Sequence, residues 1–219
     1  MIVKVCGLKR AEDLKVAKEC GADVLGMICG VPESPRNNSV EDCIKLLNSI
    51  DGVKKAVLFR NSPVVEVIEA ASQFNCDILH FCGNEDTAYR ELIQSKFPKM
   101  TIWQSFGVPL ENPNDPDWFQ KVNEALIDKT IGKIVLDSQK SGKTGGAGVA
   151  FPFDIVAKRL AQNQNKIIIA GGLKVGLLKD LFSHLCPLGL DISSGVEESP
   201  GVKSREKIVT FFEELSSYQ

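Results

Sequence analysis

Histidine is scarce in this chain of 219 residues, which contains only His80 and His184. A metal centre built from several histidines is therefore excluded, and a Cys/His or Ser/His nucleophilic couple has little support. The seven cysteines are odd in number and include no Cys-x-x-Cys pair, so neither a zinc site nor a redox couple is expected. Any acid–base chemistry would have to use Cys, Asp, Glu or Lys.

Long apolar runs and an excess of one charge are also missing. No apolar run approaches the roughly 18 residues that a membrane span requires, so we expect no membrane association. A net charge of −2 lacks the surplus of Lys and Arg that nucleic-acid binders show, so no nucleic-acid partner is expected. The segment from Met1 to Gly7 leaves no room for a signal peptide, and we expect a soluble cytoplasmic protein.

Short β-rich runs alternate with longer segments of helical periodicity along the chain, and each kind occurs eight times. A strict alternation with short connections requires parallel strands, and eight such units closing on themselves form an α/β fold of the (β/α)8 or TIM barrel type. No interior linker divides the chain, which predicts one domain over residues 1–219. The predicted strands are Ile2–Cys6, Val24–Cys29, Lys55–Phe59, Ile78–Cys82, Met100–Ser105, Lys133–Asp137, Lys166–Ala170 and Gly189–Ser193.

Start signals support the predicted helices. Ser39 is the predicted N-cap of a helix over Glu41–Ser49, and Ser204 precedes the last helix, over Lys207–Leu215. Pro63 opens the third helix, in the position where proline is tolerated best. We expect these helices to pack on the outside of the barrel.

Cys6 and Asp137 end the first and sixth predicted strands. Barrel active sites lie on the rim formed by the carboxyl ends of the strands, so both side chains are candidates for catalysis. Cys6 precedes Gly7 and could act as a base if positive charge, such as that of Lys4, lowers its pKa. Burial of Asp137 would raise its pKa and make it a usable acid. An inert buried thiol and a loop-capping aspartate are the alternatives.

Small residues follow the last two predicted strands, as Gly171-Gly172 and as Ser193-Ser194-Gly195. Barrels of this type build a phosphate site here from backbone N–H groups and a helix N-terminus. Each glycine alone could instead serve a tight turn. Two such clusters on consecutive strands favour phosphate binding, because a phosphate needs close approach of the backbone.

Two loops complete the candidate site. The segment from Ser141 to Gly148 carries four glycines after Asp137 and is either a mobile lid or a plain flexible loop. Arg36 follows Pro35 beyond the second strand, where its guanidinium could bind a substrate carboxylate in bidentate fashion. A solvated surface arginine is the alternative.

Four blocks of sequence resemble the phosphoribosylanthranilate isomerase family over essentially the whole chain. The last block, continued by Pro200-Gly201-Val202-Lys203, is the most specific. The resemblance implies a (β/α)8 barrel enzyme of L-tryptophan biosynthesis. The blocks are Lys4-Val5-Cys6-Gly7-Leu8, Gly21-Ala22-Asp23 leading to Ser34-Pro35-Arg36, Leu136-Asp137-Ser138 with Gly145-Gly146-Ala147-Gly148, and Ala170-Gly171-Gly172-Leu173 with Asp191-Ile192-Ser193-Ser194-Gly195-Val196-Glu197.

The resemblance also implies a role for each candidate. Cys6 would be the general base, Asp137 the general acid and Arg36 the ligand of the anthranilate carboxylate. The implied reaction is the Amadori rearrangement of N-(5-phosphoribosyl)anthranilate to 1-(2-carboxyphenylamino)-1-deoxyribulose 5-phosphate, which needs neither a metal nor an organic cofactor. The implied substrate-binding residues are Arg36, Gly145, Gly146, Gly171, Gly172, Ser193, Ser194 and Gly195.

The chain departs from the family pattern near the fourth strand and beyond the glycine loop. It has His80-Phe81-Cys82-Gly83 where the family usually has Gln-Leu-His-Gly, and Val149-Ala150-Phe151-Pro152-Phe153-Asp154 where Lys-Thr-Phe-Asp-Trp is common. Another phosphosugar-binding barrel enzyme and a catalytically silent barrel acting as a binding protein are therefore the alternatives. The sequence favours a monomer, with a homodimer as the other state.

Overall fold

The computed structural model describes residues 1–140, 143–144 and 151–218. Within these ranges, parallel strands form the predicted closed barrel, because the first strand pairs with both the second and the eighth. Each other barrel strand pairs with its neighbours in chain order. The barrel strands are β1 (Ile2–Val5), β2 (Val24–Cys29), β3 (Lys54–Phe59), β4 (Ile78–Phe81), β5 (Thr101–Pro109), β6 (Lys133–Lys140), β7 (Ile167–Ile169) and β8 (Gly189–Ile192).

An α-helix follows each barrel strand. Ser39 Oγ accepts a hydrogen bond from Asp42 N at 3.1 Å and Ser204 Oγ accepts one from Lys207 N at 3.3 Å, which confirms both predicted N-caps. No helix in the described ranges is long and apolar enough to cross a membrane. The helices are α1 (Ala11–Glu19), α2 (Val40–Asn48), α3 (Val64–Ala71), α4 (Thr87–Lys96), α5 (Pro116–Ile127), α6 (Phe153–Leu160), α7 (Leu178–His184) and α8 (Arg205–Ser216).

Two hydrophobic clusters stabilise the barrel. The larger one lies between strands and helices, where side chains such as Leu25, Leu79 and Phe211 are fully buried. Because side chains alternate along a strand, residues two positions beyond an inward-facing one also point into the barrel. Towards the carboxyl ends of several strands these inward-facing positions carry polar residues, among them His80 and Asp137. The smaller cluster fills the inside of the barrel with Val24, Ala56, Ile78, Trp103, Val135, Ile168 and Ala170.

Two strands extend beyond their predicted ends. β5 and β6 stay paired in parallel as far as Pro109 and Gln139. The end of β6 also pairs antiparallel with Lys143–Thr144. The continued pairing satisfies backbone groups that would otherwise need other partners, so the strands pass the rim. The prediction that Asp137 ends its strand is therefore wrong, because Asp137 lies inside β6.

Candidate active site

A cavity of about 650 Å³ opens at the carboxyl ends of the barrel strands. Gly195 does not line the described part of this cavity, since it packs against the carbonyl group of Leu173 with no room for a side chain. Gly145 and Gly146 lie outside the described residues. The cavity brings together the other predicted site residues, namely Cys6, Arg36, Asp137, Gly171, Gly172, Ser193 and Ser194.

Cys6 follows β1 directly and is buried at the cavity wall. Gly26 on β2 makes room for it, because a Cβ at that position would lie 2.9 Å from Cys6 Sγ and 2.9 Å from Lys4 Cε. Burial raises the pKa of the Cys6 thiol, and the charge of Lys4 offsets this effect only in part. The thiol is therefore protonated at neutral pH in the free protein.

Asp137 reaches the same cavity from β6. Burial raises the pKa of its carboxyl to about 7, and the nearby charge of Asp191 adds to the effect. Its Oδ1 atom is buried and has no hydrogen-bond partner among the described residues. A large fraction of Asp137 therefore carries a proton near neutrality, which suits a general acid.

Arg36 lines the cavity, but two of its nitrogens are already paired. Nε donates to Glu197 Oε1 at 2.7 Å and Nη2 donates to Oε2 at 2.6 Å. Glu197 also accepts a hydrogen bond from Lys203 Nζ at 2.8 Å. Burial acts to raise the pKa of Glu197, but the hydrogen bonds and charges of Arg36 and Lys203 hold it below its usual value. Nη1 of Arg36 makes no bond with a described residue, so both of its N–H groups are left for a ligand.

The small residues after β7 and β8 form one side of the cavity. Gly171 and Gly172 have φ angles of +80° and +70°, in the left-handed region that favours glycine. The Ser193 hydroxyl donates to the carbonyl oxygen of Cys6 at 3.0 Å, and Ser194 begins a short 3-10 helix. Because glycine has no side chain, a phosphate can come close to the backbone of this rim, beside Asp137 and Cys6.

Lys4, His80 and Asp191, which the sequence analysis did not connect, form a buried polar chain with Ser105 inside the barrel. Lys4 Nζ donates to Asp191 Oδ2 at 2.5 Å and to His80 Nδ1 at 3.2 Å. His80 Nε2 lies 2.7 Å from Ser105 Oγ. An ammonium group only donates, so Nδ1 accepts, and His80 donates from Nε2 to Ser105. Burial, together with the charge of Lys4, holds the His80 pKa well below its usual value.

Two members of this buried polar chain could have been found from the strand pattern of the sequence. Lys4 and Asp191 are partners in the β1–β8 register, and each lies two residues before a cavity residue. An inward-facing charge in a barrel must be paired, because an unpaired buried charge is very costly. His80 and Ser105 give no comparable signal, since each is compatible with many environments in the sequence alone.

Residues 3–214 match the family model described as N-(5'-phosphoribosyl)anthranilate isomerase. The chain belongs to this family. The match confirms the predicted family and its enzyme class, an isomerase of tryptophan biosynthesis.

Two relatives of this isomerase show how the similarity is distributed. The N-(5'-phosphoribosyl)anthranilate isomerase of Thermoanaerobacter sp. (strain X514) is 30% identical over 214 residues, which cover 97% of each chain. The tryptophan biosynthesis protein TrpCF of Haemophilus influenzae is 30% identical over 213 residues. That alignment covers 97% of this chain but 42% of TrpCF, so the chain spans less than half of that longer relative.

Solved structures show the same barrel. The phosphoribosylanthranilate isomerase of Thermus thermophilus superimposes with a TM-score of 0.81 at 30% identity and covers 100% of both chains. Another isomerase, solved in complex with reduced 1-(o-carboxyphenylamino)-1-deoxyribulose 5-phosphate, has a TM-score of 0.75 at 23% identity. It covers 99% of this chain and 100% of its own, and at that identity the likeness shows the fold alone.

Proposed function

We propose that this chain catalyses the Amadori rearrangement of N-(5-phosphoribosyl)anthranilate with Asp137 as general acid and Cys6 as general base. The observation that carries the proposal is that both side chains line one cavity, on either side of the rim after β7 and β8. A phosphate bound to that rim positions the sugar between acid and base. Such positioning of reacting groups supplies a large part of enzymatic rate acceleration.

The first step opens the furanose ring. Protonated Asp137 donates its proton to the ring oxygen while the bond between that oxygen and C1 breaks. The nitrogen lone pair forms the C=N bond, which gives the open-chain Schiff base in its protonated, iminium form. An acid with a pKa of about 7 retains its proton near neutrality and still releases it readily to the leaving oxygen.

The second step removes the proton from C2. The Cys6 thiolate accepts this proton, and its C–H electron pair forms the C1=C2 bond while the C=N electrons return to nitrogen. The resulting enolamine tautomerises to the aminoketone, so no net oxidation or reduction occurs. Because burial raises the Cys6 pKa, the thiolate is the minor form at neutral pH. The positive charge of Lys4 lowers this pKa in part, which increases the fraction of thiolate and so limits the loss of rate.

The two ends of the substrate have separate binding groups in this proposal. Backbone groups of Gly171, Gly172 and Ser193-Ser194 bind the phosphate, and Nη1 of Arg36 binds the anthranilate carboxylate. Gly195 supports the phosphate rim through its close packing against Leu173. Contacts of Gly145 and Gly146 with the substrate stay a prediction.

The proposal extends to the setting in which the enzyme acts. We infer one domain over residues 1–219 that works as a monomer in the cytoplasm. In the described residues, no group of three or more His, Cys, Asp or Glu side chains could hold a metal ion. The proposed steps use only Asp137 and Cys6, which is why we expect turnover without an added cofactor.

Turnover of freshly generated N-(5-phosphoribosyl)anthranilate tests the proposal, with loss of substrate fluorescence as the readout. We expect Cys6→Ala and Asp137→Asn each to lose about 10²- to 10⁴-fold in kcat/KM, the range that a general acid or base supplies. Cys186→Ala and Asp180→Asn are matched controls, because both side chains are exposed on the outside of the barrel.

Turnover that depends on both residues and survives both control substitutions supports the reaction and the assignment. Absence of wild-type turnover, under conditions in which a known isomerase is active, would overturn the proposal. Full activity in Asp137→Asn would overturn the assignment of the acid.

A further inference from the structure

Arg60 is a cation of the cavity that has no role in the steps above. It follows β3, lies two residues after Leu58, and lines the cavity together with that residue. Its side chain is partly buried. Resting on the proposed function, we propose that Arg60 binds the anthranilate carboxylate and completes a site to which Arg36 contributes only the N–H groups that Glu197 leaves unpaired.

The order of strands around the barrel supports this position. The phosphate rim follows β7 and β8, and the proposed acid and base lie on β6 and after β1, on either side of it. A substrate with its phosphate on this rim and its sugar between Asp137 and Cys6 must extend its aromatic ring away from β7 and β8. In an eight-stranded barrel the opposite wall is formed by β3 and β4, and Arg60 stands at that wall.

The two cavity arginines also differ in their partners. The guanidinium of Arg36 is held by Glu197 through two hydrogen bonds, and its aliphatic chain passes over Gly7 near Ser193, on the phosphate side. Among the residues that the structure describes, Arg60 makes neither a hydrogen bond nor an ion pair. A planar guanidinium without a partner in a cavity is suited to bidentate binding of a carboxylate.

The acidic residues near this wall do not neutralise Arg60. Glu33 lines the cavity but forms no ion pair with a described residue. Glu85 is buried, and its two oxygens accept hydrogen bonds from Asn61 N at 2.7 Å and Gly83 N at 2.8 Å. These bonds tie the loops after β3 and β4 together. The charge of Arg60 is therefore available to a ligand.

Binding of three ligands tests the assignment. The probes are the product analogue with its ketone reduced, the same compound without its carboxylate, and inorganic phosphate. We expect Arg60→Gln to weaken binding of the carboxylate-bearing analogue about tenfold and to leave the other two unchanged, because a charge-assisted hydrogen bond is lost only with that ligand. Arg60→Lys should recover part of the affinity, and Arg205→Gln, an exposed arginine on α8, should have no effect.

Equal weakening of all three ligands, or no weakening, would overturn the inference, as would failure of the wild type to bind the carboxylate-bearing analogue. In turnover assays the expected change for Arg60→Gln is a raised KM with little change in kcat. If the wild type binds as expected but does not turn over substrate, the proposed function fails and the carboxylate site stands.

Discussion

The two halves of the barrel interior differ in composition although the same strands build both. Near the amino ends the strands point Ile78, Trp103 and Val135 inward, and these pack into an apolar cluster. Two residues further along the same three strands come His80, Ser105 and Asp137, all of which line the cavity. On these strands a step of two residues leads from the apolar cluster, whose Val135 also lines the cavity, to polar side chains.

The polar half of the barrel interior contains buried hydrogen-bonding atoms that lack a partner among the described residues. One oxygen each of Asp137 and Asp191 is buried without a hydrogen-bond partner among the described residues. The apolar half needs no partner of this kind. Substitutions in the apolar half should therefore act on stability alone, while substitutions in the polar half should also change the charges that set the pKa values of Asp137 and Cys6.

Lys4→Met should have the largest effect on stability, because it leaves Asp191 as a buried charge without its 2.5 Å partner. Breaking a buried ion pair by removing one partner costs about 3–5 kcal/mol. We expect this loss in the free energy of unfolding, measured by urea denaturation. Activity should fall as well, because the positive charge that lowers the Cys6 pKa is removed.

A double variant separates these two effects. Lys4→Met combined with Asp191→Leu removes the unpaired charge and should recover part of the lost stability, but not the lost activity. A double variant that is less stable than Lys4→Met alone would show that the unpaired charge of Asp191 does not cause the loss of stability.

Ile168→Ala tests the apolar half. Ile168 is fully buried, and shortening a buried Ile to Ala costs about 2–5 kcal/mol through lost contacts and a cavity. Stability should fall by this amount in urea denaturation, while kcat/KM per folded molecule should stay close to wild type. A large loss of kcat/KM at temperatures where the variant is folded would contradict the division between the two halves.

The smallest effect that we predict is the pH dependence of kcat/KM, which changes about tenfold per pH unit, equivalent to about 1.4 kcal/mol. The productive form has Asp137 protonated and Cys6 ionised, yet the Asp137 pKa of about 7 lies below the raised Cys6 pKa. We therefore expect kcat/KM to rise with pH up to about 7, then level off, and to fall only above the Cys6 pKa.

Asp137→Asn should remove the levelling near pH 7, so that its residual activity continues to rise until Cys6 is ionised. A wild-type profile that rises without a break from pH 6 to 9 would show that Asp137 does not titrate as the acid.

The fold could be predicted from the sequence because its signals are local and repeated. Each strand–helix unit has its own periodicity and several have their own cap, so Ser39 and Ser204 marked their helices correctly. The length of β5 and β6 was missed, since it depends on pairing between strands that no single segment reveals. Asp137 was assigned to the right cavity but to the wrong place in its strand.

The candidate site was predictable where rim position and residue type agree, as for Cys6 and the glycines after β7. The pairing of Arg36 with Glu197 was not, because it joins residues 161 positions apart through the folded barrel. The positions of His80 and Arg60 in the cavity also needed the structure. Neither residue type indicates by itself which face of the sheet or which neighbour it will meet.

Closure of the barrel has a consequence for how the protein is made. β1 completes its pairing only with β8, and Lys4 meets Asp191 across 187 positions of sequence. On the ribosome one edge of the first strand therefore stays unpaired until β8 has been synthesised, and contacts at such separation form slowly. Cys6 acquires its Ser193 neighbour only in that final step. Appearance of isomerase activity would then report the addition of β8, and a ribosome stalled before β8 would carry an open, inactive sheet.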